Sequence, residues 1–387
     1  MMAGFLLARA GVDVVVLEKH ADFIRDFRGD TIHPSTLELL YELGLLEEFL
    51  QLPHQQLREI RGIFNGHPVP IADFSRLPTH CKLIAFMPQW DFLDFLSRHA
   101  RRFRSFTLRM QHEVIDLVFD DDRVVGVRAN TLQGEREFFA DLIIGADGRH
   151  AITHTTAGFE LHDFGAPIDV LWMRISKRKN DPPQSLGFFR HGKLLVQLDR
   201  GDYFQLGFVI PQGEFQQIKR RGLAALHRDV VALGPFLEDR IAELDDWNKI
   251  KLLTVQINRL QKWCREGLLC IGDSAHAMSP AGGVGINLAL QDAVAAANLL
   301  AEKLRVGPVS LPDLELVQKR REWPTRLIQA MQAFIHRHVV TGRESRTGDS
   351  LPLLLRLFQW FPALRSLPAR FIGMGPRPEH IHSPAQE

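Results

Sequence analysis

At 387 residues the chain has room for two domains or one large composite. Hydrophobic residues make up 45% and charged residues 24%, the balance of a folded globular protein, which excludes a disordered chain. The 47 basic and 46 acidic side chains nearly cancel, so nothing argues for nucleic acid as a partner. No run reaches the ~18 consecutive apolar residues of a membrane span. The opening Met1-Met2-Ala3-Gly4-Phe5-Leu6 lacks the basic start of a signal peptide. Cys81, Cys264 and Cys270 form no Cys-x-x-Cys pair, so buried thiols in a cytoplasmic, reducing setting are expected.

Residues 2–10 read as a helix, Gly11 as its stop, and residues 12–17 as a buried strand closed by Glu18. Helix, glycine turn and Val-rich strand ending in an acid form the second half of a dinucleotide-binding βαβ unit. A strand-end acid there bonds ribose hydroxyls, although Glu18 alone reads equally well as a solvated carboxylate. The first strand and the Gly-x-Gly-x-x-Gly turn of such a unit are not in the sequence. The expectation is that the true start lies upstream, and that the chain as written holds its nucleotide poorly. Ser35 with Glu38 predicts a capping box for a helix over the next residues. Residues 60–74 alternate around Asn65-Gly66-His67 and predict a hairpin. Residues 86–96 open an amphipathic helix running to about Phe103, with a solvated basic run at Arg98, Arg101, Arg102 and Arg104.

Strands are expected at residues 108–118, 123–129 and 137–139, followed by Asp141-Leu142-Ile143-Ile144-Gly145-Ala146-Asp147-Gly148, a buried strand ending in Asp-Gly. Residues 169–175, 186–189, 193–198 and 203–210 are strands joined by Arg190-His191-Gly192 and Arg200-Gly201-Asp202, which implies an antiparallel sheet. Phe188, Phe204, Leu206 and Phe208 read as core residues of that sheet. Helices follow at 215–233 and 236–244, then a strand at 251–257. The pattern Leu268-Leu269-Cys270-Ile271-Gly272-Asp273 is again a buried strand ending in a carboxylate, and Pro280-Ala281-Gly282-Gly283-Val284-Gly285-Ile286-Asn287 leads into a long Ala/Leu helix. A strand-end carboxylate accepts hydrogen bonds from sugar-like hydroxyls, glycines let the main chain approach, and a helix N-terminus offers free N–H groups. A last helix spans about 313–341 with Pro324 near a kink. The end from Pro362 is Pro-rich and irregular. His336-Arg337-His338 and His380-Ile381-His382 read as exposed, with no companions for a metal. His276 is given a structural role.

These blocks resemble the FAD-dependent aromatic hydroxylases, the para-hydroxybenzoate hydroxylase family, over nearly the whole chain to about Leu304. The resemblance implies an α/β fold: a Rossmann-like FAD-binding region at 1–158 with a hairpin insertion at about 57–80, completed at 258–310. It also implies an antiparallel-sheet substrate domain at 159–257 and a C-terminal helical segment at 311–387. By resemblance Glu18 and Lys19 face the adenosine ribose and Val114 the adenine. Arg28 reaches the pyrophosphate, and Gln89 the ribityl or phosphate region. Asp147 and Gly148 contact FAD, Gly272 and Asp273 bind the ribityl chain, and Pro280, Gly283, Gly285, Ile286 and Asn287 lie against the flavin ring. The helix after Asp-Gly reads Ala151-Ile152-Thr153-His154 where the family shows Ser-x-x-Arg, so that arginine is absent.

The activity implied is hydroxylation of a small aromatic substrate with O2 and NADH or NADPH through a flavin C4a-hydroperoxide, in a chain for which a homodimer is allowed. No catalytic base is singled out. The alternatives are another flavin oxidoreductase on the same scaffold, or an inactive truncated remnant. The Trp-x-Trp-x-Ile-Pro signature of flavin halogenases is absent from the sequence.

Overall fold

The computed structural model describes residues 1–24, 31–182, 186–336 and 353–386, a mixed α/β arrangement. The apolar strand Val14–Glu18 pairs in parallel with Phe106–Met110, from Val14↔Phe106 to Glu18↔Met110. The strand Ile143–Gly145 pairs in parallel with Leu268–Cys270, so Gly145 stands beside Cys270. These two parallel pairs belong to separate sheets. Helix Met2–Arg9 lies over the first pair, and Gly4 makes the close approach possible: a Cβ there would stand 2.8 Å from Val16 Cγ2.

A seven-stranded sheet forms the second layer, in the order Ile250–Thr254, Ile168–Ser176, Tyr203–Pro211, Lys193–Asp199, Leu186–Arg190, Glu59–Phe64 and His67–Asp73. The hairpin expected around Asn65-Gly66 is present, with φ of 49° and 85° at those residues, as a tight primed turn requires. It extends the edge of this sheet by pairing Glu59–Phe64 in parallel with Leu186–Arg190. Phe188, Phe204, Leu206 and Phe208 are buried in a core with Leu226, Val230 and Leu237, on the helix-covered face.

Several boundaries differ from expectation for local reasons. The stretch 108–118 is two strands, Phe106–Met110 and Glu113–Asp120, because Gln111 takes a positive φ of 58°. Gly222, at φ 83°, divides residues 215–233 into helices Phe215–Arg221 and Leu223–Leu233. Only short turns, Pro235–Leu237 and Ile241–Glu243, stand where a helix at 236–244 was expected. Pro34 sets the first turn of helix Pro34–Glu42, so His33, not Ser35, is the N-cap, and Glu38 turns to the His80 backbone and ring.

The C-terminal region is more ordered than its prolines suggest. Helix Ser366–Met374 packs near Phe74 and Leu77, and the tail beyond it runs back over the first layer. Its Gln386 amide donates to the Arg9 carbonyl at 2.8 Å, and Asn298 accepts from the His382 and Ser383 amides. Helix Leu311–Ile335 begins with a Ser310–Asp313 capping box and carries Pro324 inside it. Helix Gly285–Leu304 sits in a segment long and apolar enough to cross a membrane by composition, yet 72% of that window is buried within the protein, with Gln291 and Asp292 among the buried residues.

Candidate functional site

Leu17, Ile143 and Leu268 pack into one hydrophobic cluster around Trp263 and Cys270. The strands that end near Glu18, Asp147 and Asp273 are therefore drawn to a common core. The Asp-Gly and Gly-Asp loops are also tied directly. Asp147 accepts from the Thr153 amide at 3.0 Å and its hydroxyl at 2.7 Å. The Thr153 hydroxyl lies 3.3 Å from Ser274 Oγ, and His154 Nδ1 lies 2.9 Å from the Ser274 carbonyl. Thr153 and His154 thus make a cross-link in the helix where the arginine is absent. Arg149 Nε donates to Asp273 at 3.2 Å, and Asp273 remains about a third exposed. Burial pushes the neighbouring Cys270 thiol up to about 12, against weaker opposing bonds from Ser274 and Thr153, so it stays protonated and inert.

The glycine loop is shaped from both sides. Gly272, Gly282 and Gly283 hold φ of 59°, 81° and 63°, and a Cβ on Gly283 would meet Thr31 Oγ1 at 2.2 Å. Thr31 donates its hydroxyl to the Gly283 carbonyl at 2.9 Å. Asn287 is buried and fully engaged: its oxygen accepts from the His33 amide and the Thr36 hydroxyl, and its amide donates to the Thr31 and Gly283 carbonyls. It ties the loop to the segment from Thr31 to Thr36. Helix Gly285–Leu304 has no side-chain cap and no acid in its first turn, and its leading residues Gly285 and Ile286 are only partly covered. The first N–H groups of such a helix lack intrahelical partners, a setting for an electron-rich group.

The remaining predicted residues take these positions. Glu18 accepts from the His20 amide through its side chain and from the His112 amide through its carbonyl, with Lys19 exposed beside it. Val114 packs beside Leu17. Gln89 is the first residue of helix Gln89–Ala100 and is partly exposed. Gly148 has φ 87° after Asp147. Arg28 lies outside the described residues. An open groove of about 520 Å³ beside Asp122, Lys262, Cys264 and Glu315 contains none of these residues.

A buried ionic chain supports the site from behind. Asp292 accepts from the Gly272 amide at 3.0 Å, from His276 at 2.6 Å and from Arg321 Nε at 3.0 Å; Arg321 also bonds Glu379 at 3.0 Å. Burial drives the Asp292 carboxyl up, but His276, Arg321 and the Gly272 amide together outweigh it, leaving it below the usual range. His276 is structural, as expected. The sequence reading missed Thr31, Thr36, Asp292 and Arg321. His336, expected to be exposed, is buried with Nε2 3.0 Å from Ser279 Oγ.

Two strand-end carboxylates joined across a parallel pair, with a glycine loop and an open helix N-terminus beside them, define a nucleotide-cofactor scaffold. The residues fit a flavin nucleotide at its ribityl and ring end: a partly exposed carboxylate, positive-φ glycines and uncapped amides. The profile of the FAD binding domain family matches residues 1–330, and the chain belongs to that family. The 6-methylpretetramide 4-monooxygenase of Streptomyces rimosus is 32% identical over 387 residues, covering 98% of this chain and 90% of its own. An uncharacterised aromatic compound monooxygenase of Bacillus subtilis is 26% identical, covering 86% and 68%. Among solved structures, PqsL of Pseudomonas aeruginosa, a probable FAD-dependent monooxygenase, superposes with a TM-score of 0.73 at 19% identity, covering 88% of this chain and 94% of its own. The anhydrotetracycline hydroxylase OxyS of Streptomyces rimosus superposes at 0.72 and 22% identity, covering 96% and 73%. The chain is a flavin-dependent monooxygenase with FAD as cofactor, acting on a small substrate with O2.

Proposed function

We propose that the enzyme hydroxylates a phenol-like aromatic compound, consuming one NAD(P)H, one proton and one O2 and releasing NAD(P)⁺, water and the hydroxylated ring. The observation that carries this reading is the joining of Asp147 and Asp273 through Thr153, Ser274 and Arg149, beside the uncapped start of helix Gly285–Leu304. FAD, when bound, supplies the redox chemistry, taking electrons from the nicotinamide and activating oxygen. In this reading the Asp273 carboxylate accepts ribityl hydroxyls, and Asp147 orders the Asp-Gly loop through Thr153. Gly283, Gly285 and Ile286 present backbone to the flavin ring, with the helix dipole favouring negative charge there. Glu18, Lys19 and Val114 serve the adenosine end, with Arg28 at the pyrophosphate and Gln89 between the two ends. The regions 1–158, apart from the hairpin at about 57–80, and 258–310 form the cofactor layer, and 159–257 with that hairpin the substrate layer. Free buried thiols at all three cysteines fit a cytoplasmic location.

The test is NADH and NADPH oxidation by the FAD-loaded protein with phenolic compounds, starting with 6-methylpretetramide. The reading expects substrate-stimulated oxidation with one hydroxyl gained from O2. Stimulated oxidation with no oxygen in the product would make the protein a dehydrogenase or reductase instead.

A further inference from the structure

The long helix Leu311–Ile335 and the residue after it place Arg321, Thr325, Gln329, Gln332 and His336 on one face, at steps of four, four, three and four. All five are buried. Polar residues at that spacing normally face water, yet four of these five reach the segment from Gly272 to Ala281, directly or through one residue. Arg321 holds Asp292, which holds the Gly272 amide. Gln329 donates to the Ala277 carbonyl at 3.0 Å and the Asn258 carbonyl at 2.8 Å. Gln332 accepts from the Ser279 amide at 3.1 Å and donates to the carbonyls of Ser279 at 3.0 Å and Ala281 at 2.9 Å. His336 meets the Ser279 hydroxyl, which in turn accepts from the Ala281 amide at 3.2 Å. From Arg321 to Gln332 the order along the helix follows the order along the loop, and His336 returns to Ser279.

We infer that this helix is the template for the cofactor loop, with Gln332 as its central positioning residue: it fixes the path of Ser279–Ala281 and so the place of Gly283 and Gly285 against the flavin. The physical reason is that, among the described residues, 279–283 have no strand partner for their backbone. Ser279 is buried and Ala281 partly covered, so their polar groups need partners, and a primary amide offers one acceptor and two donors in one rigid plane. A glutamine therefore does for this loop what a neighbouring strand does elsewhere. Gln332 touches no reacting atom in this account. Only its effect on FAD affinity rests on the cofactor assignment above.

A matched control exists on the same helix. Gln318 clamps backbone in the same way, accepting from the Trp263 amide at 2.9 Å and donating to the Gln261 carbonyl at 3.0 Å, away from the loop. The experiment compares Gln332→Met with Gln318→Met in the full chain, by amide hydrogen exchange without flavin and by FAD titration. Gln332→Met is expected to raise exchange across 279–285 and weaken FAD about tenfold, while Gln318→Met opens 261–263 and leaves FAD affinity within about twofold. Equal exchange across 279–285 in both variants overturns the inference. So does unchanged FAD affinity in Gln332→Met when the parent chain binds FAD. A parent chain that shows the loop protection but takes up no FAD defeats the cofactor reading and leaves the template supported by its exchange pattern.

Discussion

Arg321 and Asp292 form an ion pair at 3.0 Å with both side chains fully buried, and the same guanidinium bonds Glu379 from the C-terminal tail. Removing the cation takes one partner from each of two buried carboxylates, leaving Asp292 with His276 and the Gly272 amide and Glu379 with Arg320. Arg321→Met is expected to cost ~3–5 kcal/mol of unfolding free energy in equilibrium urea titration. Adding Asp292→Asn and Glu379→Gln to that variant should recover a large part of the loss. A loss below ~1 kcal/mol for Arg321→Met alone would mean that the chain is not closed as described.

Gly283 and Gly285 lie two residues apart and make opposite demands. An Ala at 283 meets Thr31 Oγ1 at 2.2 Å and must hold φ near 63°, whereas a Cβ at 285 finds only Met278 Cβ, at 4.0 Å. Gly283→Ala is expected to lose upwards of ~2 kcal/mol, read as a lowered urea midpoint. Gly285→Ala should be neutral or stabilise by up to ~1 kcal/mol, because alanine favours the helix. If the flavin ring lies on this backbone, Gly285→Ala still weakens FAD binding. Full FAD affinity in Gly285→Ala would move the ring elsewhere.

Local rules were enough to read the site's outline. Asp147 and Asp273 ended short apolar runs, and such runs became the parallel pair Ile143–Gly145 and Leu268–Cys270. Asn65-Gly66 signalled its hairpin by turn chemistry alone. What escaped was set by distant contacts. Ser35 lost the cap to His33 because Pro34 fixes the helix start, and Gln111 broke a strand that its hydrophobic pattern continues. Asn287 follows the glycine loop, and its side chain makes four bonds to protein groups, which no spacing in the sequence foretells. The polar face of helix Leu311–Ile335 had a visible signal in its three-and-four spacing. It went unread because Arg, Gln and His on a helix ordinarily mean solvent.

Asp273 tests the flavin assignment most directly. Among the described residues its one side-chain bond comes from Arg149 at 3.2 Å, and the two side chains are 27% and 35% exposed, so the pair adds little to stability. Asp273→Ala is expected to leave the urea midpoint nearly unchanged. Loss of charged hydrogen bonds to ribityl hydroxyls, worth ~1.5–3 kcal/mol, should weaken FAD binding about ten- to hundredfold in a fluorescence-quenching titration. An unaltered FAD affinity would remove Asp273 from the cofactor site.

His33 and His336 give the fold an acid limit. Burial lowers both to about 4, with the His33 ring bonded to the Ile372 carbonyl at 2.7 Å in partial opposition, and burial lowers His99 as well. The folded state therefore prefers them neutral, while the unfolded chain charges them near pH 6.5. Their contribution is complete above that value and is lost as pH falls from about 6.5 towards 4, at up to ~1.4 kcal/mol per pH unit for each histidine. Asp292, lowered below the usual carboxylate range, adds its own loss only at more acid pH. The urea midpoint should thus fall steeply between about pH 6 and 4.5. His33→Gln keeps an amide donor for the Ile372 carbonyl but cannot be charged, so its slope in that window should be shallower by about one proton. A parallel pH dependence in His33→Gln would show that His33 is protonated in the folded protein.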